Sequence, residues 1–168
     1  ESSPALGADG TVYFGSRDRT FYAVGADGRE KWRFAVAGAV VASPALGADG
    51  TIYFGSADQR MYALFPDGRK RWDYFTNGDI QASPVLGADG TVYFAALDAS
   101  FYALEPLSGA VRWRVSLESN SVSSAAVRAD GAVILGADDG VVRALDRANG
   151  AVLWRFDTRK AVPDDTID

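Results

Sequence analysis

Hydrophobic and polar side chains alternate along this chain in short runs with a period of two. Examples are Thr11-Val12-Tyr13-Phe14 and the run from Thr20 to Val24, each of which ends at a glycine. Such runs are typical of short β-strands, whereas an amphipathic helix would place its apolar residues at i, i+3 and i+4. No stretch has that helical spacing over an ordinary helix length, so the pattern predicts an all-β chain.

The pattern also repeats roughly every 40 residues. The stretch that begins Ser3-Pro4-Ala5-Leu6-Gly7-Ala8-Asp9-Gly10 returns at Ser43 and Ser83, and a weaker copy starts at Ser124. The Asp-Gly pairs between strands predict tight hairpin turns. Each repeat accommodates four short antiparallel strands, here called A to D, which is the composition of one β-propeller blade.

The sequence therefore predicts a β-propeller of four-stranded antiparallel blades, with four blades in this chain. The predicted blades cover residues 1–37, 38–77, 78–118 and 119–157, and residues 158–168 are predicted to be an acidic tail. Strand A is predicted around residues 2–7, 40–46, 80–86 and 121–127, and strand D is predicted to be the outer strand. The fourth repeat has diverged, with Ala125 for proline and Arg143 for tyrosine.

Composition removes several classes of function. The net charge of −5 and the pI of about 4.7 argue against nucleic acid and anionic membranes as partners. The chain has no cysteine and no histidine, which excludes thiol chemistry, histidine-based triads and the commonest zinc ligand. No apolar run is long enough to span a bilayer. Because the chain starts without Met, we expect a processed protein or a piece of a longer one.

The fourth repeat carries a family resemblance. The stretch from Ala144 to Trp154, preceded by Gly131-Ala132-Val133-Ile134-Leu135-Gly136, resembles the PQQ-type propeller repeat. That repeat forms the blades of quinoprotein alcohol dehydrogenases and of the outer-membrane-assembly lipoprotein of Gram-negative bacteria. The resemblance covers residues 2–157. It implies a propeller fold and a periplasmic or otherwise extracytoplasmic setting.

The resemblance also implies a tryptophan docking motif, in which an alanine and a tryptophan of one blade pack against the next. The matching residues are Trp32, Trp72, Trp113 and Trp154, with Ala23, Ala63, Ala103 and Ala144. A sugar- or base-stacking role for these tryptophans is the alternative. The family's quinone site needs a vicinal cysteine pair and a stacking tryptophan, and its calcium needs acidic and amide ligands. Neither set carries over, so we expect no catalytic residue, no PQQ, no calcium or other metal, and no enzyme activity.

Candidate binding residues lie where the repeats disagree. Asp18, Asp58, Asp98 and Asp139 recur in the B–C turns, where they either cap the turn or contribute to a binding face shared with the D–A loops. Their neighbours vary between repeats and form the candidate partner-binding face: Arg17, Arg19, Gln59, Arg60, Asn77, Asp79, Glu118 and Asn120. The acidic pairs Asp138-Asp139 and Asp164-Asp165 are interpreted as solvated.

A wheel of only four blades is hard to close, and an open one leaves two apolar faces in water. We therefore expect this chain to be half of an eight-bladed ring, formed as a homodimer or within a larger propeller. The predicted function is a non-catalytic scaffold that binds a protein or peptide on the B–C and D–A loop face. Two alternatives are part of a PQQ-dependent quinoprotein dehydrogenase whose cofactor site lies elsewhere and a purely self-assembling half-propeller.

Overall fold

The computed structural model describes residues 2–160. These residues form sixteen strands and one short 3₁₀ helix. The elements are β1 (Ala5–Leu6), β2 (Val12–Gly15), β3 (Thr20–Val24), β4 (Glu30–Ala35), β5 (Ala45–Leu46), β6 (Ile52–Ser56), β7 (Arg60–Leu64), β8 (Lys70–Phe75), β9 (Val85–Leu86), β10 (Val92–Ala96), β11 (Ser100–Leu104), β12 (Val111–Ser116), β13 (Ala126–Val127), β14 (Val133–Gly136), β15 (Val141–Leu145), β16 (Val152–Asp157) and η1 (Thr158–Lys160).

The strands form four separate sheets, each made of four consecutive antiparallel strands in simple meander order, β1 to β4 through β13 to β16. Strands A, B, C and D of each repeat follow one another across their sheet, as the alternating pattern predicts. Asp-Gly turns close the A–B hairpins, and Gly10, Gly50 and Gly90 there have φ values of 78°, 79° and 80°. An L side chain is strained at such a φ, which explains the glycine at this position.

Strand A is much shorter than expected. The predicted runs of six or seven residues shrink to two, such as Ala5–Leu6 within the predicted 2–7. The residues before the strand pair with the neighbouring blade instead: the amide of Ser43 donates to Ser83 Oγ (2.9 Å), and the amide of Val40 donates to the Ser16 carbonyl (3.0 Å). A backbone amide has a single hydrogen to donate, so these residues cannot also extend the strand.

The hydrophobic core lies between the sheets, in three clusters that each join two adjacent blades. In the cluster between the first two blades, Phe21 stacks on Phe54, with ring centroids 4.1 Å apart and planes within 11°. Phe34 meets Tyr62 edge-on at 5.7 Å. Aromatic pairs of this kind add about 0.5–1.5 kcal/mol each beyond the apolar area they bury. Each interior blade is therefore stabilised through both of its faces.

The divergent residue of the fourth blade, Arg143, is almost completely buried. Its guanidinium forms a salt bridge with Asp139 and donates hydrogen bonds to the carbonyls of Val141 (3.0 Å) and Leu117 (3.3 Å). In the other blades a tyrosine hydroxyl donates a hydrogen bond to the equivalent aspartate, as Tyr62 does to Asp58. The arginine therefore replaces the tyrosine as the donor to this carboxylate, and the divergence preserves the contact.

The described chain extends three residues into the predicted tail. Thr158 to Lys160 form η1, and the amide and hydroxyl of Thr158 both donate to the Gly140 carbonyl, at 2.9 and 2.8 Å. These contacts attach the start of the predicted tail to the B–C turn of its own blade. Residues 161–168, including Asp164-Asp165, lie outside the described residues, as does Glu1.

Candidate partner-binding face

The B–C turns are organised by their aspartates. Asp18 Oδ1 accepts the amide of Thr20 (3.0 Å) and Asp139 Oδ1 accepts the amide of Val141 (2.9 Å), which is the geometry of a turn cap. A hydrogen bond from Tyr22 (2.8 Å) lowers the pKa of Asp18 from its ordinary value. These carboxylates are occupied by the turn itself.

Asp58 and Asp98 act differently, because they also contact the preceding blade. Asp58 Oδ2 accepts from the Tyr62 hydroxyl (2.8 Å) and from the amide of Ala37 (3.0 Å), which belongs to the D–A loop of the first blade. Asp98 repeats this arrangement with Tyr102 and the amide of Asn77. Burial and the hydrogen bond to the carboxylate together raise the pKa of Tyr62. The B–C turns and D–A loops thus adjoin on one side of the molecule, here called the loop face.

Among residues 2–160, four residues other than glycine have a positive φ: Arg19 (68°), Gln59 (68°), Ala99 (55°) and Glu118 (66°). The first three occupy the same place in successive B–C turns, directly after the aspartate, and Gly140 occupies it in the fourth blade with a φ of 73°. This left-handed conformation costs roughly 1–2 kcal/mol for a residue with a β-carbon. Arg19, Gln59 and Glu118 belong to the candidate partner-binding residues identified from the sequence.

The eight candidates lie on the loop face but are distributed along it and do not meet in one pocket. Five are exposed, namely Arg17, Arg19, Asn77, Glu118 and Asn120, and three are half-buried, namely Gln59, Arg60 and Asp79. Arg60 starts β7, forms a salt bridge with Asp73 and places its guanidinium carbon 5.4 Å from the Phe75 ring. Its charge is therefore already engaged within the chain.

Several of these candidates also join the B–C turns to the D–A loops through their backbones. The carbonyl of Asp79 accepts the amide of Leu97 (2.9 Å), and the carbonyl of Asn120 accepts the amide of Asp138 (2.9 Å). The carbonyl of Gln59 accepts the amide and hydroxyl of Thr76, at 2.8 and 3.0 Å. These three carbonyls are therefore already hydrogen-bonded within the chain.

The opposite side carries a recurring group that sequence reasoning missed. Lys31 Nζ donates to Asp9 Oδ2 (2.9 Å) and to Thr11 Oγ1 (2.6 Å), and Arg71 makes the same pair of contacts with Asp49 and Thr51. The signal in the sequence is the basic residue directly before each of the first three tryptophans, where the fourth repeat has Leu153. These groups tie the A–B turn to strand D.

An open cleft of about 580 Å³ lies on this opposite side, between the first two blades. Its lining includes Leu6, Tyr13, Pro66 and the ion pair of Asp9 with Lys31. The hydrogen bonds from Lys31 and Thr11 lower the pKa of Asp9 well below its usual range, which keeps the pair charged. Because these polar groups satisfy one another, the cleft presents few free donors or acceptors to a ligand.

The tryptophans of the first three blades contact the next blade. The indole N–H donates to a carbonyl in the C–D turn of that blade: Trp32 to Pro66 (2.9 Å), Trp72 to Pro106 (2.9 Å) and Trp113 to Arg147 (2.8 Å). Each tryptophan on strand D is the cross-strand partner of the alanine on strand C. Trp32 pairs with Ala23 in this way, and Trp154 pairs with Ala144. Trp154 differs from the others, because it is 42% exposed and has no such contact within the described residues 2–160.

Within residues 2–160 there is no group of three or more His, Cys, Asp or Glu residues arranged to hold a metal ion. No helix in the described part of the chain is long and apolar enough to cross a membrane.

Comparison with known proteins identifies the family. The model of the family described as outer membrane protein assembly factor BamB, built from PQQ-like repeats, matches residues 1–86 and 66–166. The chain belongs to this family. A search of curated protein sequences found no significant relative.

Two solved structures have a fold similar to that of this chain. BamB from Moraxella catarrhalis superposes with a TM-score of 0.78 at 20% identity, over 92% of this chain and 47% of BamB. The quinohemoprotein alcohol dehydrogenase ADHIIG from Pseudomonas putida HK5 superposes with a TM-score of 0.77 at 18% identity, over 94% of this chain and 34% of the enzyme. The chain thus spans about half of the BamB and a third of the dehydrogenase. These matches confirm the predicted PQQ-like propeller blades.

Proposed function

We propose that this chain is a non-catalytic propeller scaffold that binds a protein or peptide through the loop face. The observation that carries the proposal is the set of side chains kept in the left-handed conformation at Arg19, Gln59 and Glu118. Backbone strain of this kind tends to be retained at functional positions, where the side chain itself is needed. The family comparison adds support, since the family is named for an assembly factor of outer membrane proteins.

The fold itself does not need these side chains. Gly140 occupies the same turn position in the fourth blade without a β-carbon, and its turn has the same Asp-to-amide cap. Glycine is therefore compatible with the turn and free of the left-handed strain. Arg19 and Gln59 present long polar groups there instead, which are suited to hydrogen bonding with a partner.

The charges on the loop face favour an elongated partner. Arg17 and Arg19 flank Asp18 on the first blade, whereas Asp79 lies in the D–A loop between β8 and β9 and Glu118 in the D–A loop between β12 and β13. A peptide lying along the face would place its acidic end over the first blade and its basic end over the last two. Main-chain pairing of an added strand or loop with the exposed edges of the face would supply the rest of the affinity.

We propose an extracytoplasmic location, because the family to which the chain belongs is named for an assembly factor of outer membrane proteins. We also propose that the scaffold works as a homodimer or as part of a larger propeller, since both end blades leave apolar surface exposed.

The loop face can be tested by site-specific photo-crosslinking in extracts of the source cells. A photoreactive amino acid at position 19, 59 or 118 should give discrete crosslinked products, whereas the exposed position 69 on the opposite side should not. Excess unlabelled wild-type chain should compete these products away. The triple variant Arg19→Gly, Gln59→Gly, Glu118→Gly should compete at least about 10-fold less well, which corresponds to roughly 1.4 kcal/mol of lost binding.

The glycine variant is informative because the substitutions relieve backbone strain, so loss of binding would not reflect unfolding. A matched control with Arg29→Ala and Arg69→Ala removes two exposed basic side chains from the opposite side. This control should compete as well as wild type. Equal crosslinking from both sides, or equal competition by both variants, would show that the loop face is not the binding surface.

The alternative is a portion of a quinoprotein dehydrogenase, and the shared fold with the quinohemoprotein enzyme is the observation in its favour. PQQ with calcium should then shift the melting temperature of the chain and change the quinone absorption. We expect neither change. A purely self-assembling half-propeller would instead dimerise and give no crosslinks from the loop face.

A further inference from the structure

The two end blades expose opposite halves of the interface that joins the blades within the chain. At each internal junction one blade presents the face that carries the tryptophan, here called the donor face, and the next presents an acceptor face. At the first junction the donor face has Phe21 and Trp32, and the acceptor face has Phe54 and Tyr62. The first blade's acceptor face and the fourth blade's donor face have no partner blade within residues 2–160.

The unpartnered acceptor face of the first blade matches the internal ones. Its residues are Val12, Phe14, Tyr22 and Val24, which correspond in register to Ile52, Phe54, Tyr62 and Leu64 of the second blade. The four residues of the second blade are buried, whereas those of the first are half-buried. Phe14 stacks on Tyr22 at 5.4 Å just as Phe54 stacks on Tyr62 at 5.3 Å. The aromatic surface for a docking blade is therefore already formed.

The first blade also has an unoccupied contact site for a tryptophan. A β-carbon built on Gly68 would lie 2.7 Å from Trp32 Cδ2, and one built on Gly150 would lie 2.7 Å from Trp113 Cε3, because the indole rests on the glycine. A β-carbon built on Gly28, the equivalent residue of the first blade, meets nothing within 4 Å. The carbonyl that would accept the indole N–H belongs to Ala26, which corresponds to Pro66.

The donor face of the fourth blade supplies the missing tryptophan. Trp154 and Phe156 are 42% and 53% exposed, whereas the internal Trp72 and Trp113 are 8% and 7% exposed. Phe156 has the same relation to Trp154 that Phe34 has to Trp32, and Phe34 meets Tyr62 edge-on. Docked on a first blade, Phe156 would meet Tyr22, and Trp154 would lie on Gly28.

A row of serines at the start of the A strands ends in the same complementary way. The amides of Ser3, Ser43 and Ser83 donate to the hydroxyls of Ser43, Ser83 and Ser124, at 2.9, 2.9 and 3.1 Å. Within residues 2–160 the amide of Ser124 has no acceptor and the hydroxyl of Ser3 receives no donor. A fourth blade docked on a first blade would place this amide and this hydroxyl next to each other.

We infer that a second copy of this chain covers both faces, with the fourth blade of each copy docked on the first blade of the other. Two-fold symmetry then gives two identical contacts and a closed ring. This inference specifies the homodimer proposed above and does not depend on the loop face.

Sedimentation equilibrium and light scattering test the stoichiometry, with a dimer of twice 17.8 kDa expected for the wild type. Phe156→Ala should weaken dimerisation by at least about 30-fold for each contact, as expected for an aromatic hot spot. Phe75→Ala is the matched control, because Phe75 is equally exposed at 51% and also belongs to a D strand, in the second blade. It should leave the dimer intact.

Crosslinking tests the orientation, because the chain has no cysteine of its own. A short bismaleimide should join Ser3→Cys chains to Ser124→Cys chains in a mixture, and should not join Ser108→Cys chains to Ser124→Cys chains. A folded monomer at every concentration would overturn the inference and leave another partner to cover the faces. An open polymer, or crosslinking of Ser3→Cys chains to one another, would overturn the closed head-to-tail ring. If the Phe156→Ala variant no longer dimerises but still gives crosslinks from the loop face, dimerisation and partner binding are independent of each other.

Discussion

Some residues in this protein have a backbone conformation that is unfavourable for a side chain with a β-carbon. The residues directly after the B–C aspartates, which have a left-handed φ, are the clearest case. The same turn is built with Arg19, Gln59, Ala99 and Gly140 in the four blades. Ala99 has no polar side chain to offer a partner, so its left-handed conformation, with a φ of 55°, carries the backbone cost without that benefit. Comparing the four copies of this turn therefore shows how much the left-handed conformation costs with and without a β-carbon.

Ala99→Gly should raise the free energy of unfolding by up to about 1 kcal/mol, because the relief of left-handed strain exceeds the entropy that glycine gains in the unfolded chain. The reverse change, Gly140→Ala, should lower the free energy of unfolding by about 1 kcal/mol or more. Urea denaturation followed by tryptophan fluorescence measures both variants. A destabilised Ala99→Gly variant would contradict this assignment of strain and would weaken the argument for the loop face.

At the scale of the element, the A–B turns are held by charged hydrogen bonds on the side opposite the loop face. In the third blade Thr91 and Arg112 both contact Asp89, and together they lower the pKa of this carboxyl to about 2. An unfolded aspartate titrates near 3.9. The folded-state pKa is the lower of the two, so the stabilisation is complete above about pH 4 and is lost as the pH falls towards 2.

Asp89→Asn should therefore flatten the dependence of the free energy of unfolding on pH between about 4 and 2. Asp89 is half-exposed, so solvent screening limits the contribution to about 1 kcal/mol or less. Urea titrations at several pH values in this window measure the slope. Parallel slopes for the wild type and the Asn variant would show that the carboxylate contributes nothing through its hydrogen bonds.

The elements themselves were largely predictable from the sequence, because the alternation of Thr11-Val12-Tyr13-Phe14 and the Asp-Gly turns are local signals. Strand A was not, since its length depends on hydrogen bonds such as that from Ser43 to Ser83, which join residues far apart in sequence. The basic residue before each of the first three tryptophans is visible in the sequence, but the contacts of Lys31 with Asp9 and Thr11 depend on sheet register. For the candidate site, the sequence indicates which residues vary between repeats, whereas the positive φ of Glu118 depends on the three-dimensional structure of its loop.

At the scale of the whole molecule, stability should be distributed along the row of blades. Each sheet contacts only its neighbours, as in other repeat proteins, so an interior blade is held on two faces and an end blade on one. Trp72 lies within the central junction, is almost fully buried and donates its indole hydrogen to Pro106. Trp154 has no such junction inside the chain.

Trp72→Ala should therefore lower the free energy of unfolding of the monomer by about 3–5 kcal/mol, the usual cost of removing a buried tryptophan. Trp154→Ala should change it by less than about 1 kcal/mol, because an exposed side chain contributes little to the folded monomer. Both variants should be measured by urea denaturation in the Phe156→Ala background, where dimerisation is weakened. Amide hydrogen exchange on the same samples should show β10 and β11 exchanging more slowly than β2 and β15, because the former pair lies in an interior blade. Equal losses from the two substitutions would mean that the fourth blade's donor face is covered within the monomer, and the open arrangement of the four blades would then be wrong.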